Sequence, residues 1–199
     1  MRKLVFFVGG AGAGKTTLAK ALARKRGVAV IDMDTVLRPA AEALMTQAGL
    51  DPTDRDSSSY KALCRDLGYR ITMDAALENI ANGGDIFVIG PFTKETETPD
   101  WIEHELSSIG ASLSDVEVKV VFVYLRDEQL HYERIKHRGL ILDQHKLDNW
   151  SEFSQSSLAK RELKWRIPAA SVLYFDNSQN LNEQSLETLE HFVYGASSS

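Results

Sequence analysis

The chain has 199 residues, of which 43% are hydrophobic and 26% charged, with a formal net charge of −5. That length and composition fit one globular α/β domain; the acidic balance, with no large basic patch, disfavours broad nucleic-acid binding. No apolar run approaches a membrane span, and the lone Cys64 excludes an intrachain disulfide and points to a reducing cytoplasm.

The first predicted element is a strand over Leu4–Val8. It follows Met1-Arg2-Lys3 but is too short for the apolar stretch of a signal peptide. A glycine loop comes next, then an amphipathic helix through Leu18–Ala23 that Gly27 closes. Val28–Asp32 reads as a second strand. Pro39 is a candidate helix start, with Gly49 as the stop. After a polar loop over Asp51–Asp56, Ser57 or Ser58 caps a long helical region to about Asn82 that Gly68 breaks or bends. Cys64 lies among apolar residues there and reads as a packed thiol.

Asp85–Ile89 is a third strand, short and apolar throughout, as in a buried parallel sheet. A loop over Gly90–Thr98 leads to a helix that starts near Pro99 and ends near Gly110. Val116–Leu125 is the fourth strand. Asp127 caps a helix holding Leu130, Arg134 and His137, and Gly139 ends it. Residues 140–150 read as irregular, and Ser151 as the cap of a helix to about Trp165. A short strand over Val172–Phe175 and a helix from about Asn182 to Val193 close the domain, read as residues 1–194. Gly195–Ser199 reads as a disordered tail. Alternating β and α elements imply a parallel sheet covered by helices on both faces.

Residues 9–16 read Gly9-Gly10-Ala11-Gly12-Ala13-Gly14-Lys15-Thr16 and satisfy the G-x-x-x-x-G-K-[ST] phosphate-loop pattern. Strand, glycine loop and helix in that order are what the pattern requires. Successive backbone N–H groups can replace the water around a β-phosphate, and Gly and Ala leave room for that approach. The following helix adds its unsatisfied N–H groups and its positive dipole end. The nucleotide-binding set is therefore Gly10, Ala11, Gly12, Ala13, Gly14, Lys15, Thr16 and Thr17. Lys15 reaches the β- and γ-phosphates as a point charge, and the Thr16 hydroxyl is placed to ligate Mg²⁺. The implied cofactors are ATP and Mg²⁺.

Asp32 and Asp34 flank Met33 at the carboxyl end of the second strand, where ligands bind in open parallel sheets. Asp32 is the candidate second metal residue. Asp34 is the candidate base that takes the acceptor's proton, or else only the cap of the next helix.

These features resemble the small-molecule P-loop kinases of the adenylate, gluconate and shikimate kinase group. They are also similar to ATP-binding predicted kinases of AAA type related to polynucleotide kinase. The features that carry the resemblance are the 9–17 loop, the Asp32-Met33-Asp34 step, and Arg134 and Arg138 four residues apart. The resemblance implies a three-layer α/β/α fold, a sheet of about five strands in the order 2-3-1-4-5, MgATP as donor, and a mobile lid near residues 134–166. It places Arg134 towards the adenine and Arg138 towards the phosphates, with Arg138 catalytic alongside Lys15 and Asp34. A guanidinium can both stack on a base and fork onto phosphate oxygens. Lys160, Arg161, Lys164 and Arg166 form a local basic cluster in the lid, or simply a solvated helix face.

The third strand ends in Gly90-Pro91 rather than in a metal-binding acid. That leaves the Mg²⁺ duty to Thr16 and Asp32; Asp127 and Glu128 read as a cap rather than as a Walker-B pair. The acceptor site is expected among residues 35–70 and the loop after the third strand, with Arg38, Asp54, Arg55, Tyr60, Arg65, Tyr69, Arg70, Lys94 and Glu95 as candidates. The leading expectation is transfer of the γ-phosphoryl group of ATP to a small molecule's hydroxyl or phosphate. The alternatives are a 5′-hydroxyl polynucleotide kinase and a nucleotide-binding ATPase module acting on a protein partner. The sequence leaves the oligomeric state and the identity of the acceptor open.

Overall fold

A computed structural model describes residues 1–139, 143–151, 153–154, 161–179 and 181–195. Five strands form one sheet: β1 (Arg2–Val8), β2 (Ala29–Asp32), β3 (Ile86–Ile89), β4 (Val116–Tyr124) and β5 (Val172–Asp176). Their order is β2-β3-β1-β4-β5 and every pairing is parallel, as the resemblance implied. In the register, Phe6 lies between Val88 and Val120, and Asp32 lies beside Ile89. Consecutive side chains of β1 point to opposite faces. Leu4, Phe6 and Val8 join one core, with α3 (Ser58–Ala81) and α4 (Trp101–Ser107). Val5 and Phe7 join the other, with α1 (Lys15–Arg26) and the final helix. Both faces of β1 are thus buried, which is why its sequence is apolar without alternation.

The carboxyl ends of all five strands open on one edge of the sheet, so the loops after β1, β2, β3 and β5 meet there. Two helices differ from expectation. The helix α2 (Met33–Gln47) starts directly after Asp32, and Pro39 lies inside it rather than at its start. Asp32 is the cap, its carboxylate accepting from the Asp34 amide at 3.2 Å, so helix nucleation happens six residues before the proline. Asp34 is accordingly not the cap but part of the first turn. Gly68 does not break α3, which runs unbroken; a Cβ there would sit 2.7 Å from Leu37 Cδ2. The glycine instead lets α2 and α3 approach closely.

The segment after β4 also departs from expectation. The helix α5 (Glu128–Arg138) has Asp127 as its cap and Gly139 in the left-handed conformation at its end. Gln144–Asp148 is not irregular but forms a short helix, α6. Ser151, read as a cap, is itself helical. Residues 161–164 are not helical, and Trp165 is no helix end: it is buried, its indole N–H donating to the Glu95 carbonyl at 2.7 Å. It stacks on Trp101 at 5.3 Å and meets Phe6 edge-on at 5.1 Å. Lys160 and residues 196–199 lie outside the described residues. The last helix, α7 (Glu183–Tyr194), packs Leu189 and Val193 against the α1 face of the sheet.

Candidate functional site

The loop between β1 and α1 is shaped by its glycines. Gly9, Gly12 and Gly14 have φ of 145°, 79° and 96°, a region that L side chains rarely enter. A Cβ on Gly9 would run into the Val123 carbonyl oxygen of β4, so the loop leaves the sheet through a gap only glycine fits. Gly14 is the residue before α1. The first-turn amides of α1 therefore face the loop without intrahelical partners. Lys15 folds back and donates from Nζ to the Gly10 carbonyl at 2.7 Å, bridging the loop's mouth.

Lys15 is the most perturbed group at this edge. Burial lowers its pKa from 10.5 to about 8; Asp34 and then Asp32 oppose that shift, while Arg138 and Arg161 reinforce it. The charges of two carboxylates and two guanidinium groups thus act on one ammonium. Asp34 is exposed in the first turn of α2 and Asp32 is partly buried. Thr16 donates its hydroxyl to Asp32 Oδ2 at 3.0 Å, joining the start of α1 to the end of β2.

The Thr16 hydroxyl and the Asp32 carboxylate are hard oxygen donors side by side, next to the loop. That donor set fits Mg²⁺, which keeps several waters and needs only one or two protein oxygens beside phosphate. No group of three or more His, Cys, Asp or Glu suited to a metal occurs among the described residues. Glu128 accepts from the Trp150 indole at 2.9 Å and Asp127 caps α5 through the Gln129 and Leu130 amides. Asp127 is the cap the sequence suggested, whereas Glu128 is the first helical residue.

The helix α5 lies over the loop. Its residues 131, 134, 135 and 138 share one face. A Cβ on Gly12 would sit 2.7 Å from Ile135 Cγ1, and one on Gly14 would lie 3.8 Å from Arg134 Nη1. Arg134 therefore comes over the start of α1. Arg138 Nε stands 3.5 Å from the buried Asp143 carboxylate, which also meets Lys146 at 3.3 Å; Lys146 reaches on to Asp56 at 3.1 Å. This chain of ion pairs joins the start of the expected lid to the loop before α3.

Two loop contacts involve residues that sequence reasoning missed. His131, buried, places Nε2 2.6 Å from the Ala11 carbonyl oxygen. Asn177, just past β5, donates from Nδ2 to the Ala13 carbonyl at 2.8 Å. A signal existed for each. His131 is three residues before Arg134, on the face the arginine pair already defined. Asn177 follows a strand at the carboxyl edge of the sheet.

The expected acceptor residues divide. Arg65 makes two bonds to Glu95, at 2.9 and 3.2 Å, and lies over Tyr69. Arg70 pairs with Glu105 and Asp74. Both arginines are thus engaged in the scaffold. Arg55 donates to the Pro52 and Asp54 carbonyls and lies over Tyr60. Burial raises the Tyr60 pKa; the Arg55 charge opposes that shift, and Cys64, Asp34 and Asp56 add to it. Burial and then Glu95 push Tyr69 up to about 12. Lys94 and Arg38 are exposed. Arg161 donates to the Pro91 carbonyl at 2.9 Å, in the loop after β3. Arg166 instead pairs with Glu103 at 3.8 Å. Cys64 is buried and its thiol pKa is raised, as for a packed side chain. No described helix is long and apolar enough to cross a membrane.

The model of a family described as an AAA domain matches residues 5–149, well over half of the chain, and the chain belongs to that family. Among solved structures, the fold is similar to that of a candidate kinase from Chloroflexus aurantiacus, with TM-score 0.63, 12% identity and 98% of each chain covered. It is also similar to a sugar kinase from Janibacter sp., with TM-score 0.62, 17% identity, and 98% of this chain and 96% of that one covered. A gluconokinase from Sinorhizobium meliloti matches with TM-score 0.53 and 18% identity over 98% of this chain and 93% of that one. At these identities the likeness is one of fold. No curated protein sequence matches the chain.

Proposed function

We propose that this member of the AAA domain family is an ATP-dependent phosphotransferase that moves the γ-phosphoryl group to a hydroxyl or phosphate of a small molecule. The observation that carries the reading is the charge arrangement at Lys15. One ammonium closes a loop of left-handed glycines on one side and faces the Asp32 and Asp34 carboxylates on the other. The loop side suits a polyphosphate. The carboxylate side suits a hydroxyl that must lose a proton.

In this reading Gly10–Thr17 hold the phosphates with backbone N–H groups and Lys15 leaves the Gly10 carbonyl to contact them. Arg134 and Arg138 reach the nucleotide from α5, Arg138 neutralising charge on the group in transfer. Thr16 and Asp32 hold Mg²⁺, which when bound neutralises charge on the β- and γ-phosphates. Asp34, exposed in the first turn of α2, accepts the acceptor's proton as the new oxygen–phosphorus bond forms and the bond to the leaving ADP breaks. A similar fold in a sugar kinase and a gluconokinase accords with a small hydroxylated acceptor. A net charge of −5 speaks against a nucleic-acid acceptor. An acceptor of this kind, and a chain whose lone cysteine is a packed thiol, suit a cytoplasmic setting.

The test is ADP release from MgATP in the presence of separate panels of polyols, sugars, sugar acids, hydroxy acids, nucleosides and a 5′-hydroxyl oligonucleotide. The reading expects one small-molecule class to raise release at least tenfold over water. Stimulation by the oligonucleotide alone, or by none of the panels, overturns it.

A further inference from the structure

Two side chains outside the phosphate loop grip its peptide groups from behind. The Ala11 carbonyl can only accept, so His131 carries its proton on Nε2 to reach it at 2.6 Å. The Asn177 amide donates to the Ala13 carbonyl at 2.8 Å. The contacts span 120 and 164 residues of sequence, so they are tertiary and not part of the loop's own turn. Both side chains are buried.

The consequence follows from peptide geometry. No peptide bond in the described chain is cis, and across a trans peptide the C=O of one residue and the N–H of the next point in opposite directions. Holding the Ala11 carbonyl towards α5 turns the Gly12 N–H the other way. Holding the Ala13 carbonyl towards the end of β5 does the same for the Gly14 N–H. Gly12 and Gly14 are the two residues of this stretch with left-handed φ, 79° and 96°. We propose that His131 and Asn177 are positioning residues that hold the Gly12 and Gly14 amides in the orientation that receives a polyphosphate. The proposal rests on the nucleotide-binding reading above and adds the groups that pre-form its site.

The surroundings of His131 suit a fixed neutral ring. Its Nδ1 is buried with no hydrogen-bond partner among the described residues. Trp150 and Phe153 pack on the ring at 5.5 and 5.6 Å, and Ile135 follows it one turn later. A proton on Nδ1 would add an uncompensated charge there. Burial therefore lowers its pKa, with Lys15 and Arg134 acting in the same direction and the Ala11 carbonyl and Glu128 against it. The neutral ring keeps one donor, and the loop takes it.

Preformed amides favour phosphate binding because no peptide must reorient at the moment of binding. The test compares wild type with His131→Phe, which keeps a ring against Trp150 and loses the donor, and with Asn177→Leu. Calorimetry reads the affinity for ADP and for adenosine, and thermal unfolding without nucleotide reads folding. Each variant should weaken ADP about tenfold and leave adenosine within twofold, a split that a general loss of structure does not produce. His131→Gln, which retains an N–H donor, should recover most of the ADP affinity. ADP affinity within twofold of wild type in both folded variants overturns the proposal while leaving the nucleotide reading intact. Wild type that binds no ADP overturns both.

A second measurement needs no variant. In the amide spectrum of the wild-type chain, pyrophosphate should shift the Gly12 and Gly14 N–H resonances downfield; unmoved resonances with pyrophosphate bound overturn the proposal.

Discussion

Thr16 donates its hydroxyl to Asp32 at 3.0 Å, so the residue that ends β2 is tied to the first turn of α1. The other oxygen of the same carboxylate caps α2 by accepting from the Asp34 amide at 3.2 Å. Asp32 thus serves the scaffold and faces the loop at once. The two duties separate on substitution. Asparagine caps a helix about as well as aspartate, whereas it lacks the charge a cation needs. Asp32→Asn should therefore keep stability within about 0.5 kcal/mol and weaken the Mg²⁺ dependence of ADP binding at least tenfold. Chemical unfolding and a magnesium titration of ADP affinity check the pair of outcomes.

The Lys15 ammonium titrates at about 8 in the ligand-free chain, against 10.5 for an ordinary lysine. Between those values the unfolded chain binds more protons than the folded one, so the Lys15 contribution to stability rises as pH climbs from about 8 towards 10.5. Bound phosphate favours the charged form and reverses the demand. Nucleotide binding above pH 8 should take up a proton, and affinity should fall as pH rises through that range. Calorimetry of ADP binding in two buffers of different ionisation enthalpy measures the uptake, and Lys15→Met should abolish it.

Asp34 is exposed in the first turn of α2, and its charge acts on both Lys15 and the Tyr60 phenol. A general base of this kind contributes about 10²–10⁴ in rate. Asp34→Asn should slow transfer to the acceptor by at least the lower figure while ATP affinity changes less than threefold. Steady-state kinetics with the acceptor found in the panel, beside calorimetry, check it.

Trp165 seats the far end of the expected lid span, residues 161–166, in the core beneath β1. Its ring is nearly inaccessible and bonded to Glu95, and Arg161 four residues earlier points at Pro91. Trp165→Ala removes a large buried ring and should cost about 3–5 kcal/mol in urea unfolding. A loss below about 1 kcal/mol would mean that this segment is not docked as described.

What the sequence displayed was the local physics. The glycine loop could be read because positive φ at three of its positions selects glycine, and because strand and helix periodicities flank it. Asp127 was readable as a cap for the same local reason. The start of α2 was not, because Pro39 looks like a first-turn residue while the true cap, Asp32, is hidden at the end of a strand. Trp165 was drawn into a helix because its burial depends on Phe6 and Trp101, far away in the chain. His131 and Asn177 escaped for the same reason: their partners in the loop are more than a hundred residues distant. Spacing along the chain shows which face a residue occupies, and only the folded structure shows what that face meets.

The most direct measurement is a calorimetric titration of the full chain with MgADP and MgATP at pH 7, repeated on Lys15→Met. The account predicts saturable binding at one site per chain by wild type and at least a hundredfold weaker binding by the variant. Absence of binding by a folded wild-type chain, or equal binding by the two, would contradict it.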